Sequence, residues 1–231
     1  GIFGYVGKDA EIRNIELAGG NIQCYTYAGG IVGRMQGLME NCVNRATVKT
    51  TGTCNAGGVV GSLRGGTMRN CSNYGEITSQ TTHCGGVAGE ILAGSFGDNL
   101  VNYGKVTATR TFAGGIAPTC AGLIVNCVNH GEIVAGSGTA AGIASAMIFT
   151  DSTYNHVNYG AVTVTSGTSA AGIASEIKGP ASHCYNYAPI QANGYAAGIV
   201  GSLSGRLYLS SNRGTVTGVQ TANVGGIAAY M

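Results

Sequence analysis

Two short phrases recur along the whole chain at nearly constant spacing, and this repetition constrains the fold more than any other feature. The first is a glycine-rich hexad, and successive copies start roughly 28 residues apart, a period that is typical of repeat proteins. In such a protein each unit packs mainly on its neighbours. The hexads read AGGIVG, AGGVVG, CGGVAG, AGGIAP, AAGIAS, AAGIAS, AAGIVG and VGGIAA, from Ala28, Ala56, Cys84, Ala113, Ala140, Ala170, Ala196 and Val224.

The second phrase lies between the hexads. It reads NCVNRATV (41–48), NCSNYGEI (70–77), NLVNYGKV (99–106), NCVNHGEI (126–133), NHVNYGAV (155–162), HCYNYAPI (183–190) and LSSNRGTV (209–216). Short β-branched runs alternate with glycine and asparagine turns, and no window carries an apolar helical stripe free of glycine. The pattern predicts an all-β fold, a parallel β-solenoid (β-helix) of about eight coils of roughly 28 residues, with about three short strands per coil.

In a solenoid, equivalent residues of successive coils form columns, and each column can be assigned a place. The β-branched position that ends the second phrase predicts core residues at Val48, Ile77, Val106, Ile133, Val162, Ile190 and Val216. The fourth hexad position predicts core residues at Ile31, Val59, Val87, Ile116, Ile143, Ile173, Ile199 and Ile227. A glycine column with two alanine exceptions indicates a corner where φ is positive or space is short, at Ala46, Gly75, Gly104, Gly131, Gly160, Ala188 and Gly214.

The second asparagine of the phrase is the strictest polar column. A catalytic residue is needed once, whereas this residue recurs in every coil. Asparagine tolerates left-handed backbone, and its amide can bond both to a turn and to the next asparagine. We therefore predict a structural asparagine ladder at Asn44, Asn73, Asn102, Asn129, Asn158, Asn186 and Asn212, with a similar role for the first asparagine of the phrase.

The residue after each ladder asparagine is expected to point outward. Two interpretations stay open: the rings fit a pleated surface and stack on one another, or they form a binding ridge for sugar rings or a protein partner. In the next outward column, alternating Glu76, Lys105 and Glu132 favour ion pairs over a cluster of carboxylates. The outward stripe consists of Arg45, Tyr74, Tyr103, His130, Tyr159, Tyr187 and Arg213.

Cysteines also follow the repeat. Leucine shares a column with several of them, which indicates a partly buried packing position, although a Cys42–Cys71 disulfide is conceivable. Cys24, Cys54 and Cys84 follow one another at about the spacing of the repeat and predict a second stack. No CxxC pair or zinc spacing occurs, so we predict no metal site and no cofactor. The column contains Cys42, Cys71, Leu100, Cys127, His156, Cys184 and Ser210.

Small residues also follow the core position of each hexad. If they point outward, one face of the solenoid is flat and apolar and is covered by a partner; alternatively, the coil is narrow there and both neighbours are small for that reason. These residues are Val32, Val60, Ala88, Ala117, Ala144, Ala174, Val200 and Ala228.

Composition excludes several classes of function. Only 10% of the 231 residues are charged and the net charge is +2, with no basic run. Such a charge pattern argues against nucleic acid as a partner. No apolar stretch reaches the roughly 18 residues of a membrane helix, so no membrane insertion is expected. Both ends of the chain lie within the repeat pattern. We therefore interpret residues 1–231 as a single solenoid domain from a longer protein.

The segment GIFGYVGKDAEIRNIELAGG, followed by repeated GGIVG and NCxNxGxV phrases, resembles the GLUG-type repeats of bacterial cell-surface proteins, including the non-catalytic regions of IgA-specific metallopeptidases. The resemblance covers essentially the whole chain and implies an exported protein, at the cell surface or secreted. The metallopeptidase zinc motif HExxH is absent, so no protease activity carries over.

These observations predict a non-catalytic surface module, a rigid rod that acts as a spacer or adhesive region for a glycan or host protein and adjoins other domains of its own chain. One alternative is a polysaccharide-acting enzyme, which needs convergent carboxylates. Among the ten scattered acidic residues only Asp9 and Glu11 lie close together in sequence. Another alternative is a self-assembling unit, because open solenoid ends can pair edge to edge.

Overall fold

A computed structural model describes residues 1–52, 55–80, 83–219 and 223–231. Every regular element in these ranges is a β-strand, and the strands of successive coils pair in parallel. The predicted all-β parallel solenoid of about eight coils is confirmed. The expectation of three strands per coil is wrong, because each coil contributes to four stacked sheets. Within the described ranges, no helix is long and apolar enough to cross a membrane.

The four sheets are numbered by the order in which the first coil enters them. Sheet 1 contains Phe3–Val6, Val32–Met35, Val60–Leu63, Ala117–Cys120, Ala144–Ile148, Ala174–Lys178, Val200–Leu203 and Ala228–Tyr230. Sheet 2 contains Glu11–Arg13, Glu16–Leu17, Leu38–Glu40, Val43–Asn44, Thr67–Asn73, Phe96–Asn102, Leu123–Val125, Val128–Asn129, Thr153–Asn158, Pro180–Asn186, Arg206–Tyr208 and Ser211–Asn212.

Each of the other two sheets has eight strands within the described ranges. Sheet 3 contains Asn21–Cys24, Thr47–Thr50, Ile77–Ser79, Val106–Ala108, Ile133–Ala135, Val162–Val164, Ile190–Ala192 and Val216–Gly218. Sheet 4 contains Tyr27–Gly29, Asn55–Gly57, Cys84–Gly85, Phe112–Gly114, Thr139–Ala141, Ser169–Ala171, Tyr195–Ala197 and Val224–Gly225. Sheet 1 is divided into groups of three and five strands, which the isolated bridges of Ala88 and Ile91 connect.

The interior is divided into two apolar cores. One lies between sheets 1 and 2 and includes Ile31, Met35 and Met39. The other lies between sheets 3 and 4 and includes Ala28 and Val48. The predicted core columns are buried in the inner coils, whereas Val216 is half-buried and Ile227 is 40% exposed in the last coil. The end coils are more exposed because they have a neighbour on one side only.

The hypothesis of a flat, apolar outer face at the hexads is wrong. Val32 is fully buried, as is every equivalent residue through Val200. The backbone amides of Ile31 and Val32 both donate to the carbonyl oxygen of Val59, at 3.0 Å each. Because two successive amides share one carbonyl, the strand bends at this corner and both side chains enter the core between sheets 1 and 2. The residues are small because the corner is narrow.

Candidate functional site

The seven second-phrase asparagines form one continuous column of hydrogen bonds. Each Nδ2 donates to the Oδ1 of the asparagine in the next coil, from Asn44 to Asn73 at 2.8 Å through to Asn186 and Asn212 at 2.8 Å. The first six members, Asn44 to Asn186, are fully buried. The same Nδ2 atoms also donate to backbone carbonyls two residues on, at 2.8–2.9 Å.

Asn73 shows how completely this arrangement satisfies an amide. Its Nδ2 donates to Gly75 O and Asn102 Oδ1, and its Oδ1 accepts from the Gly75 amide and from Asn44 Nδ2. A side-chain amide has two donors and two acceptor lone pairs, so none is left over. Asn73 therefore has no free group with which to bind or transform a ligand.

Two glycine columns adjoin the ladder because space there is short. A Cβ on Gly58 would collide with the Asn73 amide and with Gly86 O, and a Cβ on Gly104 would collide with Gly75 O. Neither glycine has positive φ. Of the two explanations expected for the Gly75–Gly104 corner, close backbone approach is the one that the structure shows. The ladder thus packs directly against the hexad backbone and separates the two apolar cores.

Left-handed backbone occurs at the first asparagine of the phrase, not at the second. Asn41, Asn70, Asn99, Asn126 and Asn155 have φ between 52° and 58°, and His183 and Leu209 follow them at 53° and 46°. The asparagine amides form an outer ladder, in which Asn70 Nδ2 donates to Asn41 Oδ1 at 3.1 Å. The ladder is interrupted at Asn126, whose Nδ2 donates to Asp98 Oδ1 at 2.8 Å. Our attribution of left-handed backbone to the second column is therefore wrong, since the buried ladder residues lie in extended strands.

The outward stripe is a stack of rings that ends in a guanidinium group on each side. Tyr74, Tyr103, His130, Tyr159 and Tyr187 lie with successive ring centres 4.5, 4.8, 5.0 and 5.1 Å apart and planes within 11° of parallel. The Cζ of Arg45 lies 4.4 Å from the Tyr74 ring centre, and the Cζ of Arg213 lies 5.7 Å from that of Tyr187. Each ring face is therefore covered by a neighbour.

Solvent reaches the stripe at its edges. The four tyrosines are 40–50% exposed, so the groups available to a partner are ring edges and phenolic hydroxyls. Desolvation by the stack, together with Tyr74, raises the pKa of Tyr103. At one end, Glu16 accepts a hydrogen bond from Arg45 at 2.5 Å and raises the pKa of that guanidinium. Both faces of each inner aromatic ring of the stripe are covered, so a sugar ring cannot stack on them.

The acidic residue Glu132 beside the stripe forms an ion pair with a lysine and does not belong to a cluster of carboxylates. Lys105 Nζ lies 2.8 Å from Glu132 Oε2, and this hydrogen bond raises the pKa of Lys105. The predicted Lys105–Glu132 ion pair is confirmed. Asp9 and Glu11, the closest acidic pair in the sequence, are both exposed at the first coil. Among the described residues, no group of three His, Cys, Asp or Glu side chains is placed to hold a metal ion.

The cysteine column is buried more deeply than expected. Cys42, Cys71, Cys127 and Cys184 are thiols with no solvent exposure. Burial raises the pKa of Cys127 to about 12 and the pKa of Cys184 to about 12. Interaction with the neighbouring Cys71 thiol lowers the pKa of Cys42, and interaction with Cys42 together with burial raises the pKa of Cys71.

The expected second cysteine stack is not formed by the residues that the structure describes. Cys24 lies in sheet 3 opposite Thr50, whereas Cys84 lies in sheet 4 opposite Ala56, so the two occupy different columns. Cys54 lies outside the described residues.

His156 occupies the cysteine column as a fully buried, neutral imidazole. Its Nδ1 accepts from the Cys127 backbone amide at 3.4 Å, and its Nε2 lies 2.5 Å from Thr153 Oγ1. The Thr153 hydroxyl donates to Ile124 O at 2.6 Å, so Nε2 carries the imidazole proton and donates to Thr153. Desolvation lowers the pKa of His156 to about 3. This histidine is a satisfied core residue and has no route to a substrate.

A groove that our reasoning from sequence missed lies where sheets 4 and 1 meet. It encloses a cavity of about 360 Å³ between Phe112 and Tyr195 along sheet 4, and Glu176 and Tyr230 lie on its sheet 1 side. Its floor is formed by hexad residues such as Ser145. We call it the C-terminal groove. The sequence signal for this groove is a column of sheet 4 in which two small side chains lie between two large ones. The column consists of Phe112, Thr139, Ser169 and Tyr195.

Comparison with known proteins supports the fold. No family model and no curated protein matches the sequence. The chain is similar to a crystal structure of a candidate immunoglobulin A1 protease from Bacteroides ovatus, with a TM-score of 0.64 and 20% sequence identity. The match covers 98% of this chain and 68% of the other. At this identity the similarity shows a shared β-solenoid fold, and it agrees with the bacterial context that the repeat phrases suggested.

Proposed function

We propose that this chain is a non-catalytic module, a rigid β-solenoid rod that acts as a spacer within a longer exported bacterial protein. The observation that carries the proposal is the buried asparagine ladder, which runs through seven coils without interruption. A side chain that is repeated in seven successive coils and hydrogen-bonded within the rod stabilises the stack. On the opposite side of the backbone the ring stack connects the same coils, so polar and aromatic columns both resist bending.

The proposal includes location and partners. The resemblance to surface-protein repeats and the fold shared with a candidate immunoglobulin A1 protease of Bacteroides ovatus favour the cell surface or secretion. Other domains of the same chain, and a glycan or a host surface protein, are the partners that we propose. The low charge of the chain favours neither nucleic acid nor a membrane as a partner.

Small-angle scattering and a cleavage assay test the spacer function together. Eight coils at about 4.8 Å per coil predict a rod of about 40 Å. We expect the scattering of the purified chain to fit an elongated particle of that length. We also expect intact immunoglobulin A1 and neutral polysaccharides to remain uncleaved after prolonged incubation with it. Cleavage of either substrate would contradict the non-catalytic assignment, and a compact or bent particle would contradict the rigid spacer.

An adhesive role for the outward stripe is the second candidate. Ring edges and phenolic hydroxyls of four stacked tyrosines are exposed along one line, which suits recognition of a protein surface through hydroxyl hydrogen bonds. The test is binding to immobilised host proteins and glycans by the native chain and by a variant with Tyr74, Tyr103 and Tyr159 changed to Phe. This variant keeps the stack and removes the hydroxyls. Binding that the triple variant retains in full would exclude the stripe hydroxyls from the contact.

A further inference from the structure

The C-terminal groove is open because small side chains occupy it, not because the coil changes shape. Thr139 and Ser169 continue the column that begins with Phe112 and ends with Tyr195, in uninterrupted strand register. On the facing wall, Ala146, Glu176 and Ser202 likewise continue to Tyr230 in register. Three coil steps of about 4.8 Å separate Phe112 from Tyr195, so the opening is about 14 Å long.

In the N-terminal half of the rod, the same corner is filled by large side chains. Arg34 and Arg64 lie with Cζ 4.1 and 5.2 Å from the Tyr27 ring centre, and Arg64 donates to Tyr27 Oη at 2.9 Å. Arg64 also pairs with Glu90 at 3.0 Å. This contrast shows that the repeat can fill the corner and that the C-terminal coils leave it empty. A concave site of about 300 Å³ or more, apolar with a few placed polar groups, is typical of small-molecule binding.

The polar groups of the groove are mainly hydrogen-bond acceptors. The hydroxyls of Ser145 and Ser175 donate to Ala113 O at 2.7 Å and Ala140 O at 3.1 Å, which leaves their oxygen lone pairs for a ligand. Ser169 is only 7% exposed, and its hydroxyl has no hydrogen-bond partner among the described residues. It faces the floor of the groove at Gly201. The acceptors that line the groove favour a ligand rich in hydroxyl groups, whereas the Ser169 oxygen is itself buried beneath the floor.

Charge and ring placement narrow the class of ligand. Glu176 is the charged residue of the lining, and Lys178 neutralises it at 3.1 Å. His83 stacks on one face of Phe112 with ring centres 5.2 Å apart, so the opposite face points along the column toward Thr139. Tyr195 and Tyr230, both exposed, add aromatic surface at the other end. Unlike the inner rings of the outward stripe, Phe112 therefore has a face available for stacking.

We propose that the C-terminal groove binds a short neutral saccharide. Such a ligand combines apolar C–H faces, which stack on aromatic rings, with hydroxyls that donate to serine and carboxylate oxygens. A peptide added as an extra strand fits less well, because the strands that form both walls are already paired on both sides, apart from the terminal strand Ala228–Tyr230. The inference adds a ligand site to the proposed spacer. The spacer function is tested by rod length and cleavage, and the groove is tested by glycan binding. Failure of one proposal therefore does not decide the other.

The experiment uses the full chain on an array of neutral glycans, followed by titration calorimetry with lactose, maltose, mannobiose and N,N′-diacetylchitobiose. We expect at least one neutral glycan to bind. Tyr195→Ala, which removes an aromatic wall, is expected to weaken binding about tenfold. Thr139→Phe is expected to abolish it by filling the groove, and the native Phe112 in the preceding coil shows that the column accepts this ring. Ser202→Tyr fills the groove from the facing wall, where Tyr230 is the native precedent.

Controls separate a lost site from a lost fold. Lys49→Ala changes an exposed residue of sheet 3, outside both the groove and the outward stripe, and should bind the sugar with unchanged affinity. The circular dichroism spectrum of each variant is compared with that of the native chain. Weak binding is attributed to loss of the site only when the variant is folded. The proposal is overturned if no neutral glycan on the array binds, or if Thr139→Phe and Ser202→Tyr bind as tightly as the native chain. Stronger binding of 3′-sialyllactose than of lactose would overturn the assignment to neutral sugars.

Discussion

Asn73 Nδ2 donates a hydrogen bond of 2.9 Å to Asn102 Oδ1, and both side chains are fully buried. This contact joins two coils through a side chain, in addition to the backbone bonds of the sheets. It also aligns the coils, because a shift of one residue would replace an amide with a neighbour that points to the opposite face of the strand. The ladder therefore stabilises the stack and fixes its register.

We predict that Asn73→Ala destabilises the rod by about 3 kcal/mol or more. The change leaves Asn44 Nδ2 without its acceptor and Asn102 Oδ1 without its donor, and each unsatisfied buried group costs about 1–3 kcal/mol. Asn212→Ala is the matched control, since the last ladder residue is half-buried and bonds to one neighbouring asparagine. Urea unfolding followed by circular dichroism measures both. Equal losses for the two variants would show that ladder continuity contributes little.

Adjacent glycines of one hexad are predicted to differ strongly in their tolerance of alanine. A Cβ on Gly115 would collide with Gly142 O and the Asn129 amide. Gly115→Ala should therefore displace the ladder and lower the unfolding free energy by about 2 kcal/mol or more. A Cβ on Gly114 would meet the Ala117 carbonyl, but Ala141 occupies the same column in the next coil. The backbone at this position therefore accommodates a methyl group in a neighbouring coil, and Gly114→Ala should cost less than Gly115→Ala. Thermal and urea unfolding of the two variants provide the comparison, and a larger loss at Gly114 would contradict the packing of ladder on hexad.

The fold was predictable from sequence because one repeated unit was seen several times. A single phrase such as residues 126–133 looks like a catalytic cluster, whereas aligned copies show that Asn129 recurs and that Leu100 can replace Cys127. The first coil was harder to recognise, because Leu17 occupies the ladder column opposite Asn44. Its pairing becomes clear only when the backbone places both residues side by side.

Side-chain direction at corners could not be predicted from alternation alone. Period-two alternation places Ile31 and Val32 on opposite faces of a strand, but the bend at the hexad turns both inward. The C-terminal groove was missed for a related reason. Phe112 and Tyr195 are three coils apart, and their relation to the facing wall at Glu176 depends on the angle between two sheets. Patterns within one strand do not contain that angle.

The stacked tyrosines are predicted to stabilise the rod through ring contact rather than through their hydroxyls. Tyr103 lies between Tyr74 at 4.5 Å and His130 at 4.8 Å. Tyr103→Ala removes both stacking contacts, and at about 0.5–1.5 kcal/mol per aromatic pair we expect a loss of about 2 kcal/mol. Tyr103→Phe keeps the ring and should change stability by less than about 0.5 kcal/mol. The denaturant midpoints of the two variants distinguish a contribution of the ring from one of the hydroxyl. A similar loss of stability in both variants would assign the contribution to the hydroxyl.

Buried His156 is predicted to make the rod sensitive to acid. Desolvation lowers its pKa to about 3 in the folded state, whereas the pKa of an unfolded histidine is about 6.5. Between these values the unfolded chain binds one more proton than the folded chain, so its contribution to stability is complete above about pH 6.5 and is lost as the pH falls toward 3. The largest slope from this one group is about 1.4 kcal/mol per pH unit.

The variant His156→Leu isolates this effect, because Leu100 fills the same buried column and Thr153 keeps its bond to Ile124 O. Urea unfolding at a series of pH values between 3 and 7 should give a flatter stability curve for the variant than for the native chain, with the difference confined to the range below about 6.5. Carboxylate titrations contribute equally to both proteins and cancel in the difference. Parallel curves would mean that His156 takes up its proton over the same pH range in the folded and the unfolded chain, so that burial does not lower its pKa as described.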